Sequence, residues 1–263
     1  MKRILITLSY DGTAYAGWQR QKNAVSVQQT VEEAIHKVTA QFSAVTGASR
    51  TDAGVHAMGQ AAHFDTISTI PPEKFPFALN PLLPPDIRVL SGCEAPVDFH
   101  ARFCAQAKRY LYHIHNAPHA SAIHRRTEMH VPIPLHIEPM RKAASALIGV
   151  HDFSAFCASG GSYKTPVREI YSIRIARNNA HIILSVYGNA FLYRMVRIIT
   201  GTLIAVGQAK LPVSCFEHAL QTGNRLLLGA TAPAHGLCLE QVEYDPSFIQ
   251  TEPDTSEHTR PYG

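Results

Sequence analysis

The sequence has no Cys-x-x-Cys pair. Its five cysteines (93, 104, 157, 215 and 238) are scattered, which argues against a disulfide framework or a zinc ribbon and fits reduced thiols. No apolar run is long enough for a membrane span: the longest apolar-rich stretch, FLYRMVRIITGTLIAV, is short of a bilayer and carries two arginines. The opening MKRILITLSY has the basic residues of a signal peptide, but its apolar part is too short and no small-residue cleavage site follows. These absences predict a soluble, cytoplasmic protein with no membrane partner. Among fifteen histidines there is no His-Glu-x-x-His. His235 and Cys238 have no second pair at finger spacing, and His113 with His115 on one strand face gives two ligands only, so no metal is expected. Walker spacing fails in SGGSYKTP, where two residues separate Gly161 from Lys164. Neither Gly-x-Ser-x-Gly nor a Gly-x-Gly-x-x-Gly after a strand occurs, so serine hydrolase and dinucleotide chemistries lose their main supports.

What is present begins with an apolar fraction of 46% over 263 residues, enough to offset the entropy of ordering and to build one large domain or two ordinary ones. Net charge is only +4, but it is unevenly spread. Residues 99–210 hold fourteen basic and four acidic side chains, a block of +10, whereas the flanks together carry -6. Such asymmetry fits either a basic surface for a polyanion, most economically nucleic acid, or solvated surface charge. Within this block Lys108, Arg109, Lys164 and Arg168 are the candidate contacts to an RNA backbone. Lys164 and Arg168 sit in or beside a glycine-containing loop that would offer them to phosphates.

The chain reads as two halves of similar order. Ile4, Ile6, Leu8 and Tyr10 alternate as a strand. The glycine-containing loop DGTAYAGWQRQ leads to a helix over about 26–40, opened by a capping box of Ser26 with Gln29 and striped by Val27, Val31, Ala34, Ile35 and Val38. A second copy starts near Arg109 with the strand RYLYHIH. There follow an apolar stripe of Met140, Ala143, Ala144, Leu147 and Ile148 ended by Gly149, a hairpin turning at Asn178-Asn179, and a helix over about 190–206. Residues 71–86, with six prolines, are predicted to be a connecting loop without regular structure. The predicted divisions are 1–104, an N-terminal α/β half; 105–245, a C-terminal α/β half with the basic surface; and 246–263, a mobile polar tail.

Two side chains stand out. Asp52 lies in GASRTDAGVHAMGQ, bracketed by Gly47 and Gly54, with Arg50 two residues away to help keep its carboxylate ionised. It is either a functional carboxylate or the anchor of an Asx turn. Arg197 lies in an otherwise apolar helix and must either snorkel to solvent or reach a carboxylate, Asp52 being an attractive partner.

Six blocks in order, YDGTAYAGWQRQ (10–21), SVQ (26–28), ASRTDAGVHAMGQ (48–60), DFHARFCAQAKRYLY (98–112), GNAFLYRMVRIITGTL (188–203) and GLCLEQVEY (236–244), resemble the tRNA pseudouridine synthase A family from about residue 3 to 245. The resemblance implies an α+β fold of two ferredoxin-like halves related by a pseudo-two-fold, with their sheets joined around a central catalytic cleft. It implies a homodimer acting on tRNA, which contacts both subunits, at uridines thirty-eight to forty of the anticodon stem-loop. It also implies that Asp52 is the catalytic carboxylate, Arg197 its partner and Tyr110 the active-site tyrosine. Arg50 would lie near the flipped nucleotide, and Leu237 would line the uracil pocket. No cofactor is implied, because the isomerisation is redox-neutral. Ser49 stands where many members have glycine, and Tyr193-Arg194 replace a more usual polar pair. The competing classes are a non-catalytic RNA-binding protein and a hydrolase using Asp52 as nucleophile.

Overall fold

A computed structural model describes residues 1–248. Strand β1 (Lys2–Tyr10) leads through the 10–21 loop to helix α1 (Val27–Thr39). The short β2 (Thr46–Gly47) and the long β3 (His56–Thr66) follow, then α2 (Phe75–Leu79), β4 (Ile87–Ala95) and β5 (Ala107–His115). The remaining elements are β6 (Met129–His130), α3 (Ile137–Ser145), β7 (Gly149–Asp152), β8 (Val167–Asn178), β9 (His181–Gly188), α4 (Met195–Gly207), α5 (Cys215–Thr222) and β10 (Leu237–Glu243).

Among the described residues all ten strands form one sheet, whose main path runs β4-β1-β3-β10-β5-β9-β8-β7. The last strand is the one that unites it. β10 pairs parallel with β3 (Cys238 beside His56) and antiparallel with β5 (Leu239 beside Tyr110), so a strand late in the sequence is inserted between two earlier ones. Cross-strand neighbours share a face. Ile4 opposite Phe64, and Leu239 between Ala57 and Tyr110, therefore belong to the same core as the buried residues of all five helices. Leu5 points the other way, into a small second core with Ala61, Phe99, Ala101 and Tyr244.

Local chemistry explains most boundaries. Ser26 caps α1 by accepting from Gln29 N at 3.2 Å. The reciprocal arm of a capping box is not made; the Gln29 Nε2 donates instead to Glu33 Oε1 at 2.9 Å. Ile148 leaves the predicted stripe and is 45% exposed, α3 having ended at Ser145. The predicted 190–206 helix starts only at Met195, since Arg194 adopts a left-handed φ of 59° immediately before it. The proline-rich segment is likewise more ordered than the sequence predicts. Prolines fall in the first turns of three short helices (Pro72–Lys74, Phe75–Leu79 and Asn80–Leu82), where a missing N–H costs nothing. Phe75 and Leu79 are then buried one turn apart, and Asn80 exchanges two hydrogen bonds with the Val89 backbone. Pro246–Phe248 form a short 3-10 turn with Phe248 5.6 Å from Phe99; the rest of the predicted tail, 249–263, lies outside the described residues.

Candidate active site

The segment between β2 and β3 is held from three sides. Gln60, fully buried in β3, accepts from Ser49 N at 3.1 Å and donates to Ser49 O at 2.7 Å. Tyr10 shares a buried 2.8 Å hydrogen bond with the Thr51 hydroxyl. Trp18 N donates to Thr51 O at 3.1 Å, and Gly17, at φ +90°, passes so close that a Cβ would stand 2.6 Å from that oxygen. These contacts give the first and third motif blocks a structural purpose: one clamps the other.

Val55 N donates to Asp52 O at 3.1 Å, so a backbone turn closes the loop. The carboxylate makes no Asx turn. Its Oδ2 accepts from Arg197 Nη1 at 2.6 Å, across 145 residues of sequence. Arg197 is fixed in turn by donating from Nε to Ala232 O at 2.8 Å, and both partners are largely buried (side chains 15% and 13% exposed). Arg197 thus faces the carboxylate rather than snorkelling. Arg194 Nε lies 3.9 Å from the same oxygen and adds a second positive charge beside Asp52. Arg50, expected to neighbour the carboxylate, forms no ion pair with it among the described residues and is exposed.

Asp52 borders a cavity of about 820 Å³ that opens over β5 and β10. Tyr110 and Leu237 supply an apolar wall with Val55, Phe191, Leu192 and Val196. The Tyr110 ring meets Phe191 edge-on at 5.3 Å. Burial, with the Asp52 charge adding to it, pushes the Tyr110 hydroxyl up to about 12. It therefore holds its proton at neutral pH and offers stacking and hydrogen-bond donation rather than a resting base.

The cavity's charge is almost all positive. Arg50, Arg102, Lys108, Lys164, Arg168 and Arg194 line it, and Asp52 is the one carboxylate among its lining residues. Burial, followed by the charges of Arg102 and Arg168, pushes the Lys108 ammonium down to about 8, while Nζ donates to Ala48 O at 2.7 Å. Arg168 donates to Thr165 O at 2.8 Å and has a buried Nε without a partner among the described residues. Arg109 is not brought to this site. Strand alternation turns it to the opposite face, where it stacks 4.4 Å from the Tyr187 ring centre and lies 3.4 Å from Glu240. Sequence reasoning did not single out Arg102, Phe103 or Phe191. Phe103, 78% exposed beside Arg102, carries the only local signal, an aromatic next to a cation in the basic block.

A largely buried, doubly cation-flanked carboxylate at the end of an apolar wall, rimmed by cations, suits chemistry on an anionic substrate that presents a flat apolar group. The family profile described as "tRNA pseudouridine synthase" matches residues 6–104 and 143–245. A relative named tRNA pseudouridine synthase A from Ruminiclostridium cellulolyticum (strain ATCC 35319 / DSM 5812 / JCM 6584 / H10) is 49% identical over 93% of this chain and 100% of its own length. One of the same name from Acetivibrio thermocellus is 46% identical over 93% and 100%. The chain belongs to the tRNA pseudouridine synthase family. It also overlays part of a solved Cbf5-Nop10-Gar1 complex, with a TM-score of 0.38 and 11% identity over 90% of this chain and 48% of that one. Among the described residues no helix is long and apolar enough to cross a membrane.

Proposed function

We propose that this protein converts uridine to pseudouridine at positions thirty-eight to forty of the tRNA anticodon stem-loop, with Asp52 as the catalytic carboxylate. The observation that carries this is Asp52 itself, the one acid in a cation-lined cavity, ion-paired to Arg197. The reaction breaks the N1–C1′ bond, turns the uracil, joins C5 to C1′ and moves the C5 proton away as N1 gains one. No electrons leave the substrate, so no redox cofactor is called for. A carboxylate suits either route, adding to C1′ or removing a ribose proton to give a glycal. The target base must be extruded from the stem-loop to reach Asp52. Tyr110 would stack on it with Leu237 lining its pocket, Arg50 would fill the space it leaves, and Phe103 offers a face for a flanking base. Lys108, Lys164 and Arg168 would take the backbone phosphates.

The same assignment includes the division into halves at 1–104 and 105–245. Each would be ferredoxin-like, related by a pseudo-two-fold, with β10 of the second half completing the joint sheet. It also includes a homodimer whose two subunits share one tRNA, in the cytoplasm. The test is incubation of the protein with an anticodon stem-loop transcript and no added cofactor, followed by chemical labelling of pseudouridine and primer extension. New stops at those uridines are expected. Tight binding without stops would leave only an RNA-binding protein, and release of free uracil would indicate a hydrolase.

Lys108 supplies a pH test. Its free-protein cation is lost as pH rises through about 8, so stem-loop affinity is expected to fall across that range if the ammonium holds a phosphate. Lys108→Met should bind about tenfold more weakly at neutral pH, roughly one charge-assisted contact, and should lack the alkaline decline. An identical pH profile in the variant would remove Lys108 from the RNA surface.

A further inference from the structure

β5 ends at His115 and β9 begins at His181, and the two residues stand opposite each other in the ladder with ring centres 5.3 Å apart. Alternation puts His115 on the face opposite Tyr110. It lies seven residues along the strand from Lys108, about 23 Å away at the usual rise. The chain then loops out and returns through a helical turn in which Glu128 N donates to His124 O at 2.9 Å, so that His124 and Glu128 share one side. β6 zips alongside β5 directly after Glu128, His130 registering with His115, and this fixes the carboxylate over the histidine pair.

The donors converge. The His181 Nδ1 lies 3.0 and 3.1 Å from the two Glu128 oxygens, the His115 Nδ1 3.6 Å from Oε2, and the His124 Nδ1 3.9 Å from Oε1. Ligand atoms of His115, Glu128 and His181 all lie within 4.8 Å of one another. Tetrahedral ligands on bonds of about 2.0–2.1 Å stand about 3.3 Å apart, so small side-chain rotations close the set. Two features make this more than a polar cluster. Glu128 is only 11% exposed, yet among the described residues no lysine or arginine lies within ion-pair distance of it. Among the described residues the buried His115 Nδ1 has no hydrogen-bond partner. A mostly buried carboxylate and an orphaned imidazole nitrogen both cost free energy that a shared cation would recover.

We propose that His115, Glu128 and His181, with His124 as the fourth ligand, form a binding site for a divalent transition ion of the zinc class, remote from the Asp52 cavity. Three imidazoles and one carboxylate are the donor set that such ions favour over magnesium or calcium. The ion would pin residues 116–128 to the sheet. That loop carries Arg125 and Arg126, and the Arg126 carbonyl accepts from His56 Nε2 at 2.9 Å, tying it to the start of β3. Single-sequence spacing rules missed the set because His181 reaches it from 53 residues beyond Glu128, through strand pairing.

The test is a titration of chelator-stripped full-length protein with Co²⁺, read by its visible absorption, and with Zn²⁺, read by thermal melting. One equivalent is expected to give the intense bands of tetrahedral cobalt, and Zn²⁺ should raise the melting temperature. His181→Gln and Glu128→Gln should each weaken binding by roughly 100-fold or more, as loss of a direct ligand does, while Asp52→Asn keeps it. Should Glu128→Gln fail to fold, His181→Gln, altered at a half-exposed side chain, carries the comparison. Absence of a tetrahedral band at one equivalent, or a band unchanged in the variants, would overturn the site.

Discussion

Asp52→Asn is expected to slow single-turnover conversion by at least about 10³-fold, the usual loss when a general acid–base or nucleophilic group is removed. Stem-loop affinity should stay the same or tighten slightly. Asparagine keeps an acceptor for Arg197 Nη1, now 2.6 Å from the carboxylate, and loses the charge, so the variant should melt below wild type but by less than one that also loses the acceptor. Asp52→Ala should lose as much activity but also melt lower, because it strands a guanidinium that is 13% exposed. Arg197→Met tests the other partner. Breaking a largely buried pair costs about 3 kcal/mol, roughly 6–12 °C in a chain of this size, and the freed carboxylate is no longer aimed. Conversion by Asp52→Asn within tenfold of wild type would end the mechanism, whatever the melting data.

Binding of the stem-loop is expected to fall by a few hundred- to about a thousandfold between 50 and 200 mM salt. Six cations line the cavity, and if each displaces a counterion from the RNA the slope of log affinity against log salt is about -4 to -5. Lys164→Gln should make that slope shallower by about one without altering the maximal rate, since Lys164 makes no contact with Asp52 or Tyr110. Arg109→Gln should leave the slope unchanged, because Arg109 is occupied by Glu240 and Tyr187 on the far face of β5. A flat salt response would mean that the cavity's charge does not meet phosphate.

What the sequence determined is what neighbouring residues decide among themselves. Alternation drew β1, β5 and the β8–β9 hairpin, Ser26 set the start of α1, and the glycines around Asp52 marked a segment that bends tightly. The six motif blocks named the family and, through it, Asp52, Tyr110 and Arg197. Local rules failed where a distant partner or a single φ value won. Proline-rich residues 71–82 became helical because Phe75 and Leu79 gain burial against the sheet. The helix predicted from 190 waited until Met195 because Arg194 turns left-handed first. Local rules left the partner of the Asp52 carboxylate open, and tertiary structure brought Arg197 to it from 145 residues away. The insertion of β10 between β3 and β5, the turning of Arg109 away from the cavity and the meeting of His115, Glu128 and His181 were decided the same way. Strand pairing and burial join residues without regard to their separation in the chain, whereas periodicity and capping act only within a few turns.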